Sequence, residues 1–236
     1  MNKIVIFNNI RFFNFSFNYI FKILRQKGGY LVAPAASSLS ETKKLKIYRL
    51  SLEKSNIAIL DSGFLCLLLR FFKGINVKKL SGYLFLSLLL NQVSIKKDKF
   101  FLVDPNQFEQ KKNREYLRKK GFFYTRSYIA PKYNFSNYKD DILLKEIKSF
   151  NPKYVILNIG GGIQEPLGFF LNQHLKNKYK INIICTGAAI GFLTKVQAPI
   201  SLVYDKIYLG WLIRLIHRPR NYLPRVIKSL KLIKFF

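Results

Sequence analysis

The sequence predicts an α/β fold, a Rossmann-like parallel sheet with helices on both faces, followed by a basic helical C-terminal appendage. Three observations predict it. Short apolar runs rich in β-formers alternate with longer segments of helical period, the pattern of strands joined by crossover helices. Residues that break helices cluster directly after those runs, where a parallel sheet carries its ligand-binding loops. From about residue 204 the chain turns basic and amphipathic.

In chain order, buried strands are expected at 30–33, 57–60, 100–103, 154–159 and 181–185. Helices are expected at 16–25, 40–52, 63–72, 107–119, 139–149 and 166–175. Residues 1–203 form the core domain and residues 204–236 the appendage. In the appendage Lys206, Arg214, Arg218, Arg220, Arg225, Lys228, Lys231 and Lys234 occur with no acid after Asp205. Trp211, Leu212, Leu215 and Ile216 interleave with them, as in helices that lie on a membrane surface. Pro219 and Pro224 imply a helix break near residue 218.

Composition narrows the function classes. The 236 residues suit one α/β domain with an appendage, and a 49% hydrophobic content supports a sizeable core. Forty-one basic against 12 acidic residues give a net charge of +29, so a polyanionic neighbour is implied. A bias toward Lys, Asn, Ile and Phe along the whole chain accounts for part of that excess as solvated surface. No nucleic-acid motif is present, and the aromatics lie in apolar runs rather than on a stacking platform, so nucleic acid is not the expected partner. Cys66 and Cys185 sit in apolar runs as buried thiols, and with His174 and His217 they match no metal-site spacing. No metal and no cofactor are expected. No run reaches the ~20 apolar residues of a membrane span. The expected location is cytoplasmic, peripheral on the inner face of the membrane.

Three groups of residues are candidates for chemistry. Asp61 ends an apolar strand and precedes Ser62 and Gly63, a place that suits a general base or a cap on the following helix. The run 158–165, NIGGGIQE, follows another strand. Its glycines either leave N–H groups facing a phosphate or sugar, or simply make a tight strand-to-helix turn. Gly187 opens a Gly-Ala-Ala turn after the last strand. Arg214, Arg218 and Arg225 fall within about 40° of one another at helical period, fit to take the charge of a leaving diphosphate or to bind lipid headgroups. The Asp-x-Asp pair that holds a divalent metal in many glycosyltransferases is missing from the sequence.

These segments together resemble the WecG/TagA/CpsF glycosyltransferases, from roughly residue 10 to residue 225. The resemblance is carried by Asp61-x-Gly63, Gln164-Glu165, Gly187-Ala188-Ala189, Ala198-Pro199 and Trp211-x-x-Arg214. It implies an enzyme transferring a sugar from a nucleotide diphosphate-sugar to a polyprenol diphosphate-linked acceptor for capsule, teichoic acid or other surface polysaccharide. It implies Asp61 as catalytic base. It further implies Gly63, Gly160, Gln164, Glu165 and Gly187 as substrate contacts, with Arg214, Arg218, Arg220 and Arg225 completing the site from a membrane-docking appendage. An anionic membrane surface is thus an expected partner, and a homo-oligomer is compatible. The chain also departs from the family pattern. Ala33-Pro34-Ala35 stands for a Thr-x-Asn, Gly191 for an Asp, Asp104-Pro105 for a Gly-Gly, and Gly210 for a Glu. These losses motivate the alternative of a catalytically degenerate relative that only docks on the membrane.

Overall fold

The computed structural model describes residues 3–94, 97–176, 180–197, 215–217 and 219–236, with Asn221 described by its backbone alone. An eight-stranded sheet of order β1-β2-β4-β3-β8-β7-β5-β6 runs through it. The strands are β1 (Ile4–Phe7), β2 (Ile10–Phe13), β3 (Gly29–Val32), β4 (Ile57–Ile59), β5 (Phe100–Asp104), β6 (Thr125–Ile129), β7 (Tyr154–Leu157) and β8 (Asn182–Cys185). Every pairing is parallel except the β1–β2 hairpin.

The period of two along each strand divides the core. Tyr30, Val32, Ala58, Phe101, Val103, Val155, Leu157, Ile183 and Cys185 face one apolar cluster. The alternate residues Leu31, Ile57, Ile59, Phe100, Leu102, Tyr154, Ile156 and Ile184 face the other. Helices α3 (Lys46–Glu53), α4 (Gly63–Lys73), α7 (Asp141–Phe150) and α8 (Gln164–Leu175) cover the first face. Helices α1 (Phe17–Lys27), α5 (Gly82–Gln92), α6 (Gln107–Lys119) and α9 (Ala189–Leu193) cover the second. A short α2 (Ala36–Leu39) precedes α3, and α10 (Pro219–Leu230) leads into a 3₁₀ turn, Lys231–Phe235. The doubly covered parallel sheet is the expected one.

The differences are local. The hairpin β1–β2 turns on Asn8 and Asn9, both at positive φ (49° and 63°), as a primed two-residue turn requires. Of the helix expected over 40–52 only the part from Lys46 is helical, as α3; residues 40–44 form turns, and α2 precedes the expected span. The Leu-rich segment 82–92 is a helix, α5, and β6 is an added edge strand. Pro224 lies inside α10 rather than ending it. The expected break at residue 218 falls outside the described residues. Both cysteines are free and buried, as expected; burial pushes the Cys66 thiol up to about 12.

β3 and β8 are neighbours in the sheet but far apart in the chain. The strands β1–β4 spread to one side of that pair and β5–β8 to the other. This is the reversal at which open α/β sheets bind ligands, beyond the carboxyl ends of their strands.

Candidate functional site

A cleft of about 500 Å³ lies over the ends of the four central strands. Ala33 and Ala35 come from the end of β3, Asp61 from β4, Gly160–Gly162 from β7, and Thr186 with Gly187 from β8. Ser37, Ser38 and Tyr48 from the α2–α3 region also line it, and α10 adds Tyr222, Arg225 and Lys228.

Asp61 is half-buried. It does not cap the helix that follows it. Ser62 does, accepting from the Leu65 N–H at 3.2 Å. The Asp61 Oδ1 instead accepts from the Gly82 N–H, at the first residue of α5, at 2.8 Å. A helix N-terminus offers free N–H groups and positive potential, and both fix a carboxylate. Glycine suits residue 82, because a Cβ there would lie 3.0 Å from the Thr186 Cβ and would press on that side chain. Leu80 N–H also bonds back to the Leu60 carbonyl at 3.1 Å, tying the α4–α5 loop to β4.

The opposite wall is a closed network. Gln164 Oε1 accepts from the Gly187 N–H at 2.8 Å, and its Nε2 donates to Glu165 Oε1 at 3.0 Å. Glu165 Oε2 accepts from the Gly162 N–H at 2.7 Å. The Tyr30 hydroxyl donates to the Glu165 carbonyl at 2.7 Å. Glu165 is wholly buried, and desolvation pushes its carboxyl up to about 7 despite those donors. Two side chains thus lock two loops together. Gly160 and Gly162, at φ 90° and 103°, let the first loop turn sharply enough to meet them.

A second buried carboxyl, Asp104, lies at the end of β5. Its Oδ1 accepts from the Asn113 and Asn158 amides, each at 2.7 Å, and burial raises it to about 6. Asn158 immediately precedes the glycine turn, so Asp104 braces that turn from below.

Of the residues expected from sequence, Asp61, Gly160, Gln164, Gly187 and Arg225 meet in the cleft. Glu165 sits behind the wall, its side chain spent on the protein itself. Gly63 opens α4. Arg220 is exposed on α10 and is not among the cleft-lining residues. Arg214 and Arg218 lie outside the described residues, as do Ala198-Pro199 and Trp211. The structure adds residues that sequence reasoning missed. Tyr48 is fully buried, with its hydroxyl at the Ser38 side chain, and Thr186 is nearly so; both line the cleft, and the Thr186 Oγ1 has no hydrogen-bond partner. Nothing in the local sequence marks them; only the fold brings them to one cavity. Lys228, expected to serve lipid attraction, also reaches the cleft. Gly191 is buried, and a Cβ there would lie 2.7 Å from the Gln197 Cγ. The Gln197 side chain in turn accepts from the Tyr222 hydroxyl of α10 at 3.5 Å.

The model of the Glycosyl transferase WecG/TagA/CpsF family matches residues 5–236, nearly the whole chain. No curated protein sequence matches it. The chain therefore belongs to the WecG/TagA/CpsF glycosyltransferase family, whose members act in surface polysaccharide synthesis with a nucleotide-sugar donor and a lipid-linked acceptor.

Proposed function

We propose that the protein is an inverting, metal-independent hexosyltransferase of bacterial surface polysaccharide synthesis. Its donor is a UDP-sugar, an N-acetylhexosamine such as ManNAc, and its acceptor a polyprenol diphosphate-linked sugar. The observation that carries this reading is Asp61, held by the start of α5 in the same cleft as the cations Arg225 and Lys228.

In this reading the Asp61 carboxylate takes the proton of the acceptor hydroxyl. The oxygen attacks the anomeric carbon as the carbon–oxygen bond to the diphosphate breaks, and UDP leaves. Negative charge gathers on that diphosphate, so donors fixed near it favour the transition state. Arg225 and Lys228 supply positive charge, joined by Arg214 and Arg218 of the same basic segment, while Arg220 lies away from the cleft lining. An arginine fork matches phosphate oxygens in pairs, and a lysine acts as a point charge. The lack of an Asp-x-Asp pair in the sequence supports a site run on these cations. Gly160 and Gly187 bring backbone to the donor, while Gln164 and Glu165 keep the two loops in place.

Transfer to a membrane-bound acceptor calls for an enzyme at the inner membrane face. Among the described residues no helix is long and apolar enough to cross a bilayer. On α10 the exposed residues Leu223, Ile227 and Leu230 recur at helical spacing beside Arg220, Lys231 and Lys234. That face supports peripheral docking through residues 204–236.

A second reading, a docking relative without activity, is favoured by Ala33 and Ala35. Both line the cleft, where the resemblance leads one to expect polar contacts. One assay separates the two: purified protein, a panel of UDP-sugars and a short-chain polyprenol diphosphate-GlcNAc, following UDP release with and without EDTA. Turnover that survives EDTA is expected. Turnover abolished by chelator and restored by Mg²⁺ or Mn²⁺ overturns metal independence, and no turnover with any donor leaves the docking relative.

A further inference from the structure

The end of α4 presents an apolar face that none of the site's chemistry uses. On α4, Leu65, Cys66, Leu68 and Leu69 are buried in the core. The opposite face carries Leu67, Arg70 and Phe71, and the last two residues of the helix add Phe72 and Lys73, all exposed, with Phe71 83% accessible. One exposed ring is ordinary on a protein surface, but Leu67, Phe71 and Phe72 lie together at one helix end, and a contiguous apolar patch marks an interaction site.

The face is continuous with the end of the chain. The Phe71 and Phe72 rings meet at 5.1 Å between centroids, and Phe72 lies 5.5 Å from Phe236. The Lys73 ammonium sits 5.6 Å over the Phe236 ring. Phe236 follows directly on the basic 3₁₀ turn and α10. The whole segment from residue 62 to residue 97 contains no acidic residue, and neither does 206–236. Aromatic rings flanked by long cationic side chains suit the boundary between headgroups and acyl chains, where the rings sink and the cations snorkel to phosphate. A second copy of this chain fits poorly as the occupant. At +29 it would bring one strongly basic body against another.

We propose that the end of α4, led by Phe71 and Leu67, is a second lipid-docking site for an anionic bilayer. With α10 it holds the protein at two points, and two points fix an orientation that one cannot. This rests on the reading of the protein as an enzyme of a membrane-bound acceptor. The bilayer must be anionic for the cations and fluid at its boundary for the rings.

The test is co-sedimentation of the full chain with vesicles of phosphatidylcholine and phosphatidylglycerol. It compares wild type with Phe71→Ser, Leu67→Ser/Phe71→Ser and a control, Phe108→Ser, which removes an exposed ring elsewhere. These side chains are exposed, so folding should hold, and thermal melts verify it. Phe71→Ser should weaken vesicle binding about tenfold, the double variant more, and Phe108→Ser not at all. Release of UDP with a soluble acceptor should be unchanged in all three. Wild-type vesicle binding in the double variant, or no vesicle binding by wild type, overturns the proposal. So does a change in the sedimentation coefficient of lipid-free protein on Phe71→Ser, which would make a second copy the occupant. The failures are separable: loss of binding without any transfer activity sinks the enzymatic reading alone, and activity with intact binding sinks the docking site alone.

Discussion

The two walls of the cleft are built by opposite means. On the β4 side, Asp61 is half-buried and anchored through Oδ1 to the backbone N–H that opens α5. On the β7–β8 side, Gln164 and Glu165 are buried and spend their side chains on each other and on two loop amides. One wall leaves its carboxylate half-buried at the lining of the cleft, and the other uses its carboxylate to hold shape. Residues that look alike as motif matches therefore divide into cleft-facing and architectural, and the burial and partners of each side chain decide which.

The sharpest way to break this contrast is at Asp61. Asp61→Asn keeps an oxygen for the Gly82 N–H, so the fold and its melting temperature should stay. Turnover should fall by at least about 10²-fold, since a positioned general base supplies roughly 10²–10⁴. Wild-type turnover in that variant would remove Asp61 from the mechanism and the distinction with it.

Glu165→Ala should show the reverse profile. It strands the buried Gln164 amide, at about 1–3 kcal/mol for an unsatisfied group, and frees the half-buried Gly162 N–H at a smaller cost. Urea denaturation should report a loss of that order. Michaelis constants of the remaining folded enzyme should move less than turnover moves in Asp61→Asn. A stable Glu165→Ala protein with no turnover would make Glu165 a substrate contact and join the two walls.

A smaller effect is expected where the cleft has unspent capacity. The Thr186 Oγ1 is buried without a partner beside the glycine loops. Thr186→Val should raise KM for the donor about fivefold, the worth of one neutral hydrogen bond, with little change in kcat. The variant should also melt no lower than wild type, because a buried hydroxyl without a partner is removed. An unchanged KM would show that this hydroxyl does not meet the donor.

Much of this was legible in the sequence. Strands β3, β4, β5, β7 and β8 stand within a residue or two of their expected places, because each is buried on both faces and reads as a continuous apolar run. The edge elements were not legible. β1 and β2 flank Asn8-Asn9, a pair that looks like an interruption of an apolar segment until its positive φ values make it a hairpin turn. β6 is an edge strand with exposed residues and a weak alternation. In the site, Asp61 and the glycine loops follow from their position after strands. Tyr48 of α3 and Thr186 after β8 are far apart in the chain, and only the fold brings both to the lining of one cleft. Asp61 and Gly82 are joined by a contact across 21 residues that no local pattern encodes.

The slightest expected effect is a pH dependence confined to the architectural side. Burial holds the Glu165 carboxyl at about 7 against an ordinary 4.5, and Asp104 at about 6 against 3.8. A carboxyl raised in the folded state binds protons there that the unfolded chain has already released. Its contribution is therefore full below the unfolded value and is lost as pH rises through the folded one. For Glu165 the window runs from about 4.5 to about 7, and for Asp104 from about 3.8 to about 6. Glu165→Gln brings an amide that cannot ionise. It places an N–H2 against the Gln164 amide, so the variant has a constant offset in stability. The slope with pH carries the information. The Tm of wild type minus that of Glu165→Gln should fall as pH is raised from 4.5 to 7.5, and the same difference for Asp104→Asn should fall over the lower window. A wild-type advantage that grows with pH would mean that the Gly162 and Gln164 donors outweigh desolvation. Glu165 would then be an ionised partner of the loops rather than a buried acid beneath them.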